Sequence, residues 1–142
     1  MSRCDHPWMD RRRTTAQRAG DAAESLVAER LIELGWTVLA RNVHVGRHEL
    51  DLVAVDPGPP AALVIVEVRW RGRRDFGLPE ETFDYRKRAH LRAAVGRLIE
   101  DGLPNGVPAP TLPIRIDLVV VEPGASPGEA ARVRHHRNAL AG

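Results

Sequence analysis

The hydrophobic residues of the chain recur in two helical patterns. From Thr15 to Leu34 apolar residues return every three or four positions, and Gly35 is a typical residue to end that helix. A second stripe predicts a helix over Tyr85 to Asp101, with Asp84 as its N-cap. We therefore expect two amphipathic helices, each with one face packed on other elements.

Other apolar segments are short and are bounded by turn residues, as in β-strands. Strands are predicted over Trp36–Ala40, His48–Val55, Ala62–Val68, Ile114–Val121 and, at an edge, Arg132–His136. The turn Asp56–Pro60 joins the second and third strands into a hairpin, Trp70–Thr82 is predicted as a charged loop, and Gly102–Pro113 as a linker. This order predicts an α/β or α+β fold, a mixed sheet of four or five strands with helices packed on it.

The length of 142 residues suits a single domain, predicted here over residues 15–140. Residues 1–14 are predicted to be a flexible basic tail, either a solvated terminus or an arm on nucleic acid. Cys4 is the only cysteine, so no intrachain disulfide can form. The longest apolar run, Ala61 to Val66, is too short to cross a bilayer, and no secretory signal is evident; a cytoplasmic protein with no membrane partner is expected.

The net charge is +2, from 21 Lys and Arg against 19 Asp and Glu, and it does not by itself select a nucleic-acid partner. Lys87 is the only lysine. Because arginine stays protonated, a site that needs a titratable side-chain amine has one candidate.

Carboxylates within apolar strands are the most informative residues. Glu49 and Asp51 are two apart and share a strand face, Glu67 ends the most hydrophobic strand, and Asp117 lies in the fourth strand. Such carboxylates are costly to desolvate unless they are paired or bind a cation. An oxygen-only ligand set favours Mg²⁺ over zinc, for which the chain has no Cys/His cluster.

Several segments, in this order, resemble those of the YraN family of endonuclease-like proteins, which are related to archaeal Holliday-junction resolvases. They include Gly20-Asp21-Ala22-Ala23-Glu24, Leu34-Gly35-Trp36, Arg41-Asn42, His48-Glu49-Leu50-Asp51-Leu52-Val53, Val66-Glu67-Val68-Arg69-Trp70-Arg71, Phe76-Gly77, Lys87, Arg115-Ile116-Asp117-Leu118-Val119 and Asn138-Ala139-Leu140. His48 stands where the family has glycine, and Arg69 where the nuclease superfamily has lysine. The resemblance spans about Gln17 to Leu140.

This resemblance implies a restriction-endonuclease-like core and a DNA nuclease that depends on Mg²⁺ or Mn²⁺. The metal ligands it implies are Asp51 and Glu67, assisted by Glu24. Arg69 would hold the attacking water or the phosphate, since arginine cannot act as a base near neutral pH. It also implies branched or structured DNA as the substrate and a homodimer as the active form.

Each of these residues also has a purely structural interpretation. Glu67 would pair with Arg69 or Arg41, and Glu24 would close a capping box with Asp21. Glu49 would be an outer ligand or a partner of Arg47 or Arg71, and Asp117 would pair with Arg115.

Two basic blocks flank the acidic strand ends and are candidates for binding phosphates of the nucleic-acid backbone. They consist of Arg71, Arg73, Arg74, Arg86, Lys87 and Arg88. The alternative is solvated charge, with Lys87 on an exposed helix face. On that view the chain is a non-catalytic nucleic-acid-binding or protein-interaction module on a nuclease scaffold.

Overall fold

Two helices and five strands make up residues 15–71 and 85–139, the part of the chain that the computed structural model describes. They are α1 (Thr15–Glu33), β1 (Thr37–Val45), β2 (His48–Asp56), β3 (Ala62–Trp70), α2 (Tyr85–Asp101), β4 (Ile114–Glu122) and β5 (Arg132–His136). The predicted tail, the N-cap Asp84 and most of the predicted charged loop lie outside the described residues.

The strands form one mixed sheet in the order β1-β2-β3-β4-β5. β1, β2 and β3 are antiparallel neighbours, β3 and β4 are parallel, and β5 returns antiparallel to β4. The parallel pair needs a long crossover, and α2 lies within it. This confirms the predicted α/β class, the hairpin and the mixed sheet.

The two helices cover opposite faces of the sheet. Val27 and Leu31 of α1 belong to one buried cluster with Val64 of β3. Leu98 of α2 belongs to a second cluster with Ile65, the next residue of β3. Because successive side chains of a strand point to opposite faces, β3 is buried on both sides, as its unbroken apolar run predicts.

The apolar stripe predicted for α1 is wrong at its end. Leu34 is 56% exposed, because the helix stops at Glu33 and Gly35 turns the chain with a φ of +91°. Trp36, only 5% exposed, fills the core instead. β1 is longer than predicted and runs to Val45, since one face of this edge strand is exposed and carries polar residues.

A buried ion network fixes β5 to β4. Asp117 is fully buried and accepts hydrogen bonds from Nε and Nη2 of Arg115, at 2.9 and 3.0 Å, and from the backbone N–H of Asn138 at 2.9 Å. Its Oδ2 lies 2.8 Å from Nε2 of His135. These contacts hold the pKa of Asp117 below its ordinary value despite the burial. The predicted pairing of Asp117 with Arg115 is present.

We expect Asp117→Ala to lower the free energy of unfolding by about 3–5 kcal/mol, because Arg115 keeps Asp56 but loses its bidentate partner, and the buried network loses the acceptor of the Asn138 N–H. Denaturant unfolding monitored by circular dichroism measures this loss. Asp101→Ala is the matched control, since Asp101 forms an exposed pair with Arg97 and its removal should cost less than ~1 kcal/mol. Equal losses for the two variants would contradict a stabilising role for the network.

Candidate metal centre

The strand pairing ends early between β2 and β3 and leaves a fork in the sheet. The β2–β3 register extends only from Asp56↔Ala62 to Leu52↔Val66. By contrast, β2 stays paired with β1 as far as His48, and β3 stays paired with β4 as far as Trp70. Residues 48–51 and 67–70 therefore face each other across the fork.

Asp51 stands at the base of the fork and takes the place of a ladder hydrogen bond. Its Oδ2 accepts the backbone N–H of Val68 at 2.8 Å. The side chain is thereby fixed by the opposite strand, and a part-buried N–H just beyond the end of the ladder is satisfied. A carboxylate at this position is both a structural element and a candidate ligand.

Three carboxylates from two elements converge on α1's side of the fork. One oxygen each of Glu24, Glu49 and Asp51 lies within 4.8 Å of the others. Within residues 15–71 and 85–139 this is the one group of three or more candidate metal-binding side chains. Glu24 lies in the middle of α1, which begins at Thr15, so the capping-box interpretation with Asp21 is wrong.

Asn42 holds two of these carboxylates and was not predicted as a site residue. In the amide orientation that satisfies both neighbours, Nδ2 donates to Oε2 of Glu24 at 2.7 Å and to Oε1 of Glu49 at 3.2 Å. Its backbone has a left-handed φ of +51°, which asparagine tolerates better than most residues. It lies opposite Asp51, between the pairs Arg41↔Leu52 and Val43↔Leu50.

Glu67 contributes the fourth carboxylate, from α2's side of the fork. It is 3% exposed, and its Oε1 lies 3.0 Å from Nζ of Lys87 and 3.5 Å from Nη2 of Arg69. Its Oε2 is buried and has no hydrogen-bond partner among the described residues. A buried carboxylate oxygen without a partner is costly, and a cation would satisfy it.

A cavity of about 280 Å³ connects the carboxylates of Glu49, Asp51 and Glu67. Its lining comprises Arg47, His48, Glu49, Asp51, Glu67, Lys87, His90 and Leu91. The rings of His48 and His90 lie 5.0 Å apart at its side. Asp51 and Glu67, on different strands, thus share one space that is large enough for a hydrated cation.

Burial and like charge favour the protonated form of the carboxyl groups in this site. Desolvation, with the negative charge of Glu67 next, raises the pKa of Asp51 from 3.8 to about 8, although the Val68 N–H opposes the rise. Desolvation also raises the pKa of Glu24, against the hydrogen bond it makes with Asp51. The raised pKa of Asp51 favours its protonated form at neutral pH in the pair that it makes with Glu24. A bound cation would displace that proton.

The donor set fits a hard divalent cation. All four carboxylates offer oxygen, and Glu67 retains a buried oxygen without a hydrogen-bond partner among the described residues. Mg²⁺ and Mn²⁺ prefer such ligands, whereas zinc prefers His and Cys. The residues predicted from the sequence as ligands, Asp51, Glu67 and Glu24, thus lie around the same fork.

Of the ion pairs expected from the purely structural interpretation, some are present and others are replaced by different contacts. Glu67 does contact Arg69, but Arg41 donates instead to the hydroxyl of Ser25 at 2.8 Å. Arg71 lies 3.4 Å from Glu122 and so is not the partner of Glu49. Lys87 is not on a solvated face, because its side chain is 31% exposed and contacts Glu67.

The basic residues near the site divide by position. Arg86 is exposed, whereas Arg71, Lys87 and Arg88 are half-buried. Arg73 and Arg74 lie outside the described residues. Of the described members, Lys87 contacts Glu67, Arg71 follows the last residue of β3, and Arg86 and Arg88 are neighbours of Lys87 on α2.

The sequence matches the model of an uncharacterised protein family, UPF0102, over residues 23–121. The chain belongs to the UPF0102 family. This confirms the expected YraN family under its other name. A UPF0102 protein of Symbiobacterium thermophilum is 38% identical over 125 residues, which cover 88% of this chain and 98% of that protein. Another, of Roseiflexus castenholzii, is 39% identical over 75% of this chain and 81% of its own length.

The UPF0102 name assigns no activity, so the family relation by itself brings no function to this chain. No helix within the two described ranges is long and apolar enough to cross a membrane.

We expect the stability of the metal-free protein to fall as pH rises from about 4 to about 8, because the raised pKa of Asp51 makes the folded state bind more protons than the unfolded state there. Glu24 acts in the same direction. Asp56 and Asp117, whose pKa values are lowered, act below this window and in the opposite sense.

Asp51→Asn isolates the effect, since an amide oxygen can still accept the Val68 N–H. We expect it to flatten the pH profile and to stabilise the protein by ~1–4 kcal/mol at pH 8. Urea unfolding at a series of pH values measures both. Parallel profiles for the wild type and the variant would show that Asp51 is not protonated in the folded state.

Proposed function

We propose that this chain is a nuclease that hydrolyses phosphodiester bonds in DNA with the help of Mg²⁺ or Mn²⁺. The observation that carries the proposal is the fork, where Asp51 and the partly unsatisfied Glu67 share one cavity. The choice of DNA as the substrate, and of branched DNA in particular, rests on the resemblance to the nuclease superfamily, as does the homodimer. The cytoplasmic location is an expectation from the sequence.

Asp51 and Glu67 would bind the cation. Glu24, which lies next to Asp51, would assist them. When bound, such a cation lowers the pKa of the attacking water and neutralises charge on the phosphate. In the hydrolysis, the water oxygen bonds to phosphorus, one bridging P–O bond breaks, and the departing oxygen gains a proton. The other proton of the water goes to solvent.

The remaining residues act on position and charge. Asn42 orients Glu24 and Glu49. Arg71, Arg86 and Arg88, together with the outlying Arg73 and Arg74, would contact backbone phosphates without reading bases. Arg69 is close to Glu67, at 3.5 Å, and adds positive charge there.

One observation favours a second candidate, a nucleic-acid-binding module without catalysis. Arg69 occupies the place of the lysine in the superfamily motif, and an arginine cannot take a proton from water at neutral pH. Such a module would bind DNA through the same cations.

The deciding experiment is cleavage of end-labelled single-stranded, duplex, flap and four-way-junction DNA with Mn²⁺ or Mg²⁺. We expect the wild type to cleave at least one of them, and Asp51→Asn and Glu67→Gln to lose at least ~100-fold in rate, because each removes a ligand of the essential cation. Asp101→Asn, which removes an exposed carboxylate outside the site, should cleave as the wild type does.

Calorimetric titration with Mn²⁺ checks the metal site independently, with binding by the wild type and much weaker binding by Asp51→Asn. Cleavage that persists in Asp51→Asn would overturn the assignment of the site. DNA binding without cleavage, equal in the wild type and Asp51→Asn, would support the non-catalytic module.

Asn42→Gly tests the positioning of the ligands. Glycine keeps the left-handed backbone but loses the amide, so we expect a ~10-fold loss in Mn²⁺ affinity with little loss of stability. Asn138→Gly is the matched control, because Asn138 also has a positive φ, +55°, and contacts Asp117 through its backbone N–H. Equal Mn²⁺ affinity in both variants would contradict this role for Asn42.

A further inference from the structure

We propose that Lys87 of α2, and not Arg69 of β3, is the cationic side chain that contacts the phosphate group undergoing hydrolysis. This inference rests on the proposed function and names the residue that completes its site. The sequence motif assigns the phosphate contact to Arg69 of β3, whereas this proposal assigns it to a residue of α2.

The contacts of Glu67 place Lys87 closer to the reacting space than Arg69. Both cations approach the same oxygen, Oε1, with Nζ of Lys87 at 3.0 Å and Nη2 of Arg69 at 3.5 Å. Lys87 lines the cavity together with Asp51 and Glu67, whereas Arg69 is not among the residues that line it. A phosphate drawn to a cation at this site would therefore meet Lys87.

The position of Lys87 follows from the packing of α2. Leu91, one turn further along the helix, is 3% exposed, belongs to the core and also lines the cavity. Residues four apart lie on one helix face, so the burial of Leu91 directs Lys87 toward the sheet and onto Glu67. The packing of α2 thus fixes the position of the Lys87 ammonium group next to Glu67.

The chemistry of the two side chains agrees with this division. An ammonium is a compact charge with three N–H donors, so it can contact a carboxylate and a phosphate oxygen together. Arg69 is half-buried, and its Nε is buried without a hydrogen-bond partner among the described residues. We therefore assign Arg69 as a positioning residue that holds Oε1 of Glu67, and Lys87 as the phosphate contact.

Steady-state cleavage kinetics separate the two roles. We expect Lys87→Gln to lower kcat by ~100-fold or more, as removal of one transition-state donor does elsewhere, with a much smaller change in KM. Arg69→Gln should lose less than ~10-fold, the smaller effect typical of a group that acts through another. Arg97→Gln, which removes one positive charge from the far end of α2, is the control and should match the wild type.

Chemical rescue excludes a merely structural effect. In a Cys4→Ser background, Lys87→Cys should regain activity after alkylation with 2-bromoethylamine, which restores an amine at the same position. Cleavage by Lys87→Gln at the wild-type kcat, or failure of the alkylated cysteine to recover activity, would overturn the assignment while the metal-site proposal stands.

A second readout does not require activity. Because Lys87 is the only lysine, reductive methylation labels one internal residue besides the amino terminus, and mass spectrometry separates the two. Ca²⁺ with DNA should slow methylation of Lys87 by ~10-fold, since a charge-assisted hydrogen bond to phosphate shields the amine. If the protein binds DNA but never cleaves it, the nuclease proposal fails. Slowed methylation would then still confirm that Lys87 contacts a phosphate, and unchanged methylation would overturn it.

Discussion

The hydrogen bond from the Val68 N–H to Asp51 is the interaction on which the site depends. It allows the β2–β3 ladder to end at Leu52↔Val66 without an unsatisfied N–H in the opened region. The opening separates two strands that would otherwise lie less than ~5 Å apart and fill the space with backbone. A side-chain oxygen thus replaces a backbone oxygen, and the fork exists because that replacement is available.

The fork then concentrates negative charge in a partly buried place, and the fold meets that cost in two ways. On α1's side the raised pKa of Asp51 favours its neutral form, and the amide of Asn42 donates to Glu24 and Glu49. On α2's side two cations meet one oxygen of Glu67 and leave the other unsatisfied. The charges are therefore balanced unequally, and the unsatisfied oxygen belongs to Glu67, which shares the cavity with Asp51, the carboxyl group whose pKa is raised. This imbalance is what would favour a cation at the proposed site.

Much of the fold follows from the sequence, because stripes and alternating segments report which faces are buried. The bounds of α2 and β5 are of this kind, whereas the shared site of Asp51 and Glu67 is expected from the resemblance to the nuclease superfamily. The early end of the ladder is not of this kind, since Leu50 and Val68 are as apolar as their paired neighbours and the pattern has no break there. The role of Asn42 depends on a left-handed backbone, and the contact of Lys87 on how a helix crosses a distant strand, neither of which local periodicity encodes.

The four carboxylates come from α1, β2 and β3, and the sheet separates the two helices that complete the site. A folding intermediate without α1 would lack Glu24, and one without α2 would keep the carboxylates but lack Lys87 and the wall of the cavity that Leu91 forms. A divalent ion at the proposed site would therefore bind the finished molecule best, and its binding energy would be added to the native state, so that the ion would act as a test of complete folding as well as a reagent.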